Sequence, residues 1–135
     1  MKTRVLDSWA VLEWIGGRKP GHTHMEALLA AGGAGHARLL MSAINAGEVQ
    51  YILRKRNAVA LAEDWRALSR SLPVTLEVPT LDDVWNAAAL KGQYAISFAD
   101  AFAAALALKH DCPLVTGDRE FRSIASLELQ WLNAP

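Results

Sequence analysis

Residues 4–17 read RVLDSWAVLEWIGG, and the hydrophobic period changes inside this stretch from that of a strand to that of a helix. Residues 4–6 form a short apolar run suited to a buried strand. From Asp7 onward Trp9, Leu12 and Ile15 recur at helical spacing until Gly16 and Gly17 stop the helix. A strand that passes straight into a helix, with an acid at the joint, opens an α/β alternation. The rest of the chain repeats it. Residues 20–31 predict a helix ended by the GGAG stretch at Gly32 to Gly35, residues 38–41 a second strand, and residues 46–56 a helix with Val49, Ile52 and Leu53 on one face and Glu48 in its first turn. An Ala- and Leu-rich helix over 58–71 leads through Pro73 to an alternating strand over 74–78. Thr80 begins TLDD, a helix start with acids in the first turn, and that helix ends near Gly92. Ser97 and Asp100 have the S-x-x-D spacing of a capping box, followed by AFAAALALKH, a helix apolar on more than one side. A strand over 114–116, a short helical turn in DREFRSI and a last strand over 127–132 complete the series. The expected fold is a single α/β domain over residues 1–135 with about five strands in a mostly parallel sheet.

Composition narrows the function. At 135 residues, 52% hydrophobic and 21% charged, the chain has enough apolar volume for one core without disulfide or metal staples. Fourteen basic residues balance fourteen acidic ones, which excludes a whole-molecule basic field for nonspecific binding of nucleic acid. The single cysteine, Cys112, has no intramolecular partner and suits a reducing compartment, so the expected location is the cytoplasm. Asp7 and Glu13 interrupt the apolar start that a secretion signal needs. The longest uncharged apolar stretch, residues 101–108, is far short of the roughly 20 residues that cross a bilayer.

Four acids stand where this architecture builds sites. In an open parallel sheet, ligands bind beyond the carboxyl ends of the strands, where strand order reverses. Asp7 directly follows the first strand, Glu48 lies on the helix after the second, Asp100 in the first turn of a helix, and Asp118 just after the strand over 114–116. Clustered carboxylates repel, and a hard cation such as Mg²⁺ or Mn²⁺ relieves them. One or two such ions suit phosphodiester chemistry through a polarised phosphate and an activated water. Ser8 and Thr116, close in sequence to Asp7 and Asp118, are placed to steady ligands by hydrogen bonds. A structural reading stands beside this one, because Asp7, Asp100 and Asp118 all occupy helix starts, where acids cap N–H groups and favour the dipole.

The segments RVLDSWAVLEWI, SAINAGEVQYIL, ISFADAFAAALA and LVTGDREF, in this order and spacing, resemble the four motifs of PIN-domain ribonucleases. The resemblance spans nearly the whole chain, whose compact size is similar to that of VapC-type toxins of toxin–antitoxin pairs. It implies a three-layer α/β/α sandwich and a Mg²⁺- or Mn²⁺-dependent endoribonuclease leaving a 5′-phosphate and a 3′-hydroxyl. By position, Asp7, Glu48, Asp100 and Asp118 match the family's four acids, and Thr116 the hydroxyl residue before the last. Asp7, Asp100 and Asp118 would hold the metal, with Glu48 assisting as a ligand or through a water. Homodimer formation and inhibition by a cognate antitoxin protein are also implied. The alternatives are a non-catalytic PIN-like module that binds protein or RNA, and a receiver-like phospho-acceptor domain. The latter expects paired acids at the first strand, whereas Asp7 stands alone; a haloacid-dehalogenase-type phosphatase expects an acid where Trp9 stands.

Setting the four acids aside leaves 14 basic residues against 10 acidic ones, a remainder compatible with an RNA substrate. Arg54, Lys55 and Arg56 form the densest basic cluster, either an RNA-phosphate contact or a helix end that favours cations. Other signals are weaker. His22 and His24 lack further ligands for a zinc set, and GGAG lacks the spacing of a phosphate loop. Cys112 reads as a small core residue rather than a nucleophile paired with His110. The five tryptophans, at positions 9, 14, 65, 85 and 131, read as core or interface rather than base-stacking groups. Residues 46–71 carry more apolar side chains than one sheet face needs, which points to a groove for a second copy or for an antitoxin.

Overall fold

The computed structural model describes residues 2–133. In chain order the elements are β1 (Lys2–Leu6), α1 (Ser8–Gly16), α2 (Gly21–Gly33), β2 (Ala37–Ser42), α3 (Ala43–Lys55) and α4 (Val59–Leu68). They continue with β3 (Thr75–Glu77), α5 (Leu81–Gln93), α6 (Phe98–Lys109), β4 (Leu114–Thr116), a 3₁₀ turn (Arg119–Ser123) and β5 (Leu129–Trp131). The five strands form one sheet in the order β3-β2-β1-β4-β5, and every adjacent pair is parallel. Strand order therefore reverses between β1 and β4, where Val5 pairs with Leu114 and Leu6 with Val115.

The pleat of β1 divides the core into two layers. Val5 joins Leu40 and Leu114 beneath α6, with Phe102, Ala103 and Leu106 closing that side. Leu6 points the other way and joins Leu39 and Val115 beneath Ala10 of α1 and Met25 and Leu28 of α2. A third cluster, built from Val11, Met41, Val49, Leu53, Ala62 and Trp65, ties the α3–α4 hairpin to α1. The result is the three-layer α/β/α arrangement expected above. Helix α6 is apolar nearly all round because it is buried nearly all round: Ala101, Phe102, Ala103, Ala104, Leu106 and Ala107 are all covered. Among the described residues, no helix is long and apolar enough to cross a membrane.

Several boundaries differ from the sequence reading for local reasons. Helix α3 begins three residues earlier than its apolar period suggests, because the Ser42 hydroxyl accepts from the Ile44 N–H at 3.2 Å and caps it. Glu48 consequently sits in the second turn, not the first. Helix α2 runs on through Gly32 and Gly33 instead of ending before them. At Gly32 an added Cβ would come within 3.1 Å of both Leu39 and the Pro73 carbonyl, so the small residue serves close packing. Helix α4 stops at Leu68, short of Ser71. The reciprocal capping box forms at Thr80 and Asp83. At Ser97 only half of a box forms, with the Asp100 N–H donating to Ser97 Oγ at 3.1 Å, and the Asp100 carboxylate does not fold back.

Candidate active site

The carboxyl ends of β1 and β4 are adjacent at the point where strand order reverses, and the loops leaving them set two acids side by side. Asp7 leaves β1 in an extended conformation and caps α1, its Oδ1 accepting from the Ala10 N–H at 2.8 Å. Its other oxygen accepts a hydrogen bond from the Thr116 hydroxyl at the end of β4. The same hydroxyl accepts from the Asp118 N–H at 3.0 Å, so one buried threonine organises both acids. Asp118 in turn caps the 3₁₀ turn, accepting from the Glu120 N–H at 3.0 Å.

Gly117 is required by packing at this bend. A Cβ there would lie 2.2 Å from Cη2 of Trp9, so the indole occupies the space that any side chain would need. Asp100, in the first turn of α6, faces the same place. Carboxylate oxygens of Asp100, Asp118 and Glu120 all lie within 4.8 Å of one another. Glu48 approaches from α3, where Ser8 Oγ donates to one of its oxygens and the Tyr51 hydroxyl donates to the other at 3.3 Å.

Electrostatics follow from this crowding. Asp7 is 1% exposed, and burial pushes its carboxyl up to about 8. Hydrogen bonds from Thr116 and Ala10 work in the opposite direction, while the charges of Asp100 and Asp118 add to the rise. Burial and the neighbouring Asp118 and Glu48 raise Asp100 to about 7. The Glu48 charge likewise lifts the Tyr51 phenol above its ordinary range. A crevice of this kind holds protons near neutrality or exchanges them for a cation.

All four acids picked out in the sequence thus converge, and a capping role does not keep Asp7 or Asp118 out of the cluster. Asp7 and Asp118 are helix caps and members of the cluster. Ser8 and Thr116 reach the acids by side-chain hydrogen bonds, as their positions suggested, although Ser8 serves Glu48 and not the adjacent Asp7. Glu120 was not singled out. It lies two residues after Asp118, and its first-turn position looks like ordinary complementation of a helix dipole.

The basic triplet falls elsewhere. Arg54, Lys55 and Arg56 end α3, about 9 Å along the helix axis from Glu48. Arg54 pairs with Glu63 of α4, and the Lys55 ammonium stands 6.0 Å from the centre of the Tyr51 ring. His22 and His24 diverge: His22 Nδ1 meets the Trp14 carbonyl at 2.7 Å and His24 Nδ1 the Leu132 carbonyl at 2.6 Å. Cys112 is buried ahead of β4, a core position as expected. Trp65 is buried in the core, whereas Trp85 lies 61% exposed on α5, which leaves for it only the interface half of the core-or-interface expectation. The α3–α4 hairpin exposes Tyr51, Val59, Leu61 and Leu68. A 260 Å³ cleft lined by Trp14, Ile15, Leu61, Trp65 and Leu68 runs between this hairpin and the end of α1, with Glu26 and Asp64 at its edge.

The family model described as PIN domain matches residues 4–127. No curated protein matches the chain in sequence. Among solved structures, VapBC2 from Rickettsia felis bound to a promoter DNA fragment is 18% identical, with a TM-score of 0.74 over 96% of this chain and 98% of that one. VapC20 from Mycobacterium tuberculosis, a sarcin-ricin loop cleaving toxin, is 19% identical, with a TM-score of 0.73 over 89% and 93% of the two chains. VapBC-1 from nontypeable Haemophilus influenzae is 20% identical, with a TM-score of 0.68 over 98% and 99%. These similarities concern the fold.

Proposed function

We propose that this chain, which belongs to the PIN domain family, is a divalent-metal-dependent endoribonuclease and the toxin of a toxin–antitoxin pair. One observation carries the reading: Asp7, Asp100 and Asp118 converge with Glu48 and Glu120 at the place in the sheet where strand order reverses. A receiver-like phospho-acceptor gains no support from that family membership. The neighbours support a toxin role, since they include a toxin that cleaves the sarcin-ricin loop and several toxin–antitoxin complexes. On this reading the chain's partners are an RNA substrate, an antitoxin protein and a second copy of itself.

The donor set fits a hard cation. Carboxylate oxygens of Asp100, Asp118 and Glu120 lie within 4.8 Å of one another, Asp7 adds its carboxyl from the end of β1, and the raised carboxyls of Asp7 and Asp100 would ionise more readily beside a cation. Asp7, Asp100 and Asp118 would hold Mg²⁺ or Mn²⁺, with Glu120 beside them. When bound, such an ion polarises the scissile phosphate and lowers the pKa of an attacking water. Thr116 keeps Asp7 and Asp118 in register by bonding to both. Glu48, held at both oxygens by Ser8 and Tyr51, presents a fixed acceptor that orients a water for in-line attack. Arg54, Lys55 and Arg56 would meet the RNA backbone outside the crevice, Arg54 by leaving its pairing with Glu63, and phosphate contacts there would set register without reading sequence.

Brief induction of the wild-type chain and of its Asp100→Asn form, followed by sequencing of new 5′-phosphate RNA ends, tests the proposal. Discrete new ends in the wild type alone are expected. Identical end maps from the two forms would overturn it in favour of a non-catalytic binding module.

A further inference from the structure

Asn45 is wholly buried, although it lies on the apolar side of a helix that carries an acid one turn further on. Its amide nitrogen donates to the main-chain carbonyl of Ala99 at 3.0 Å. Ala99 immediately precedes Asp100, and Asn45 stands one turn before Glu48. A single side-chain hydrogen bond therefore ties α3 to α6, the two helices that bring Glu48 and Asp100 to the crevice. The other end of the same amide, Oδ1, is buried without a protein partner. Leaving such an acceptor unsatisfied costs about 1–3 kcal/mol, a cost that an Ala or Leu at this place would not incur. The apolar residues on either side belong to separate clusters, Val49 with side chains of α1 and α4 and Phe102 and Ala103 with the sheet, and the Asn45 amide bridges α3 and α6 between them. Adhesion alone does not account for the amide.

We infer that Asn45 is a positioning residue: by fixing α3 against the first turn of α6, it sets the separation of Glu48 and Asp100 and so the affinity of the acid cluster for a divalent cation. The inference rests on the metal-dependent reading above. Its physical basis is that ligands held by outer-shell hydrogen bonds lose about 10–100-fold in metal affinity when that support is removed. Its hydrogen bond goes to a main-chain carbonyl and not to an acid, so its effect passes through the backbones of α3 and α6.

The test is Mn²⁺ titration, followed by calorimetry, of the wild type, Asn45→Ala, Asn45→Ser and Leu28→Ala, each with its thermal midpoint measured without metal. Leu28 is a core residue of α2, a helix that carries none of the acids, and its truncation calibrates what lost stability alone does to Mn²⁺ affinity. A drop of about tenfold or more in both Asn45 variants, with little change in midpoint and no comparable drop in Leu28→Ala, is the expected result. Mn²⁺ affinity that falls only in step with stability, or failure of both Asn45 variants to fold, would assign Asn45 to the core and overturn the positioning role. Unchanged affinity in folded Asn45 variants would overturn it too. A wild type that takes up no Mn²⁺ would overturn the metal reading, and this inference with it.

Discussion

Asp7 and Asp100 give the folded chain an unusual dependence on pH, and its sign can be worked out. Both carboxyls stand above the ordinary value of 3.8, at about 8 and about 7. Between pH 5 and pH 7 the unfolded chain has lost both protons while the folded chain retains at least that of Asp7. The folded state thus binds more protons, and stability falls as pH rises. One retained proton corresponds to a slope of about −1.4 kcal/mol per pH unit, or nearly 3 kcal/mol across the window. With the unfolding entropy typical of 135 residues, that is about 10 °C in thermal midpoint. The assay is thermal or urea unfolding in EDTA at pH 5, 6 and 7, for the wild type and for Asp7→Asn. Asparagine keeps the acceptor for the Ala10 N–H but cannot ionise, so the difference between the two slopes reports Asp7 together with its coupling to Asp100 and Asp118. Asp7→Asn should be the more stable protein at pH 7 without metal, although it removes a residue assigned to the site. Saturating Mg²⁺ should flatten or reverse the wild-type slope, because the cation replaces the protons. A metal-free wild type as stable at pH 7 as at pH 5, with the same slope as Asp7→Asn, would refute the buried-acid reasoning.

Thr116→Val removes the hydroxyl that serves Asp7 and Asp118, and should lower stability by about 1–3 kcal/mol in urea unfolding while pushing the Asp7 carboxyl higher still. Gly117→Ala should cost about 1–3 kcal/mol through the clash with Trp9, and Trp9→Leu in the same chain should restore part of the loss of thermal midpoint. Tyr51→Phe deletes only the hydroxyl that holds Glu48; stability should change by under about 0.5 kcal/mol, while the single-turnover cleavage rate falls about tenfold. Glu120→Gln, at an exposed position, should leave the midpoint nearly unchanged and weaken Mn²⁺ binding measured by calorimetry.

The alternation of periods in the sequence specified the layers well because it reflects burial directly. Residues 4–17 read as strand, acid and helix, and β1, Asp7 and α1 follow in that order. Caps were harder to read, since a serine three residues before an acid looks the same whether or not the acid folds back. Thr80 and Asp83 close a full box, but at Ser97 the carboxylate of Asp100 turns to the crevice. Glu120 and Asn45 escaped notice for a related reason. A carboxylate in a first turn and an amide within an apolar helix are both common, and only the packing of elements remote in sequence gives them a partner: Asp100 for Glu120, and the Ala99 carbonyl for Asn45.

Capping and chemistry are usually opposed as explanations of an acid at a helix start, yet here the first supports the second. A capping carboxylate is oriented by backbone N–H groups, which the fold supplies whether or not a ligand is bound. Asp7 and Asp118 use that orientation to stand on either side of Thr116, so their geometry belongs to the helix starts and not to the cation. Asp7 still carries the electrostatic cost of burial, which the Thr116 hydroxyl and the Ala10 N–H offset only in part. A chain built in this way folds with its cluster already assembled and partly protonated. On the proposed metal-dependent reading, cation uptake at neutral pH would take the form of an exchange, releasing protons and restoring stability in one step. The proton count measured on Mn²⁺ binding in buffers of different ionisation enthalpy should therefore fall between pH 6 and pH 9, as Asp100 and then Asp7 lose their protons before the cation arrives. A count that stays at zero throughout would mean that the acids are ionised in the free protein and that the crevice is far wetter than its burial implies.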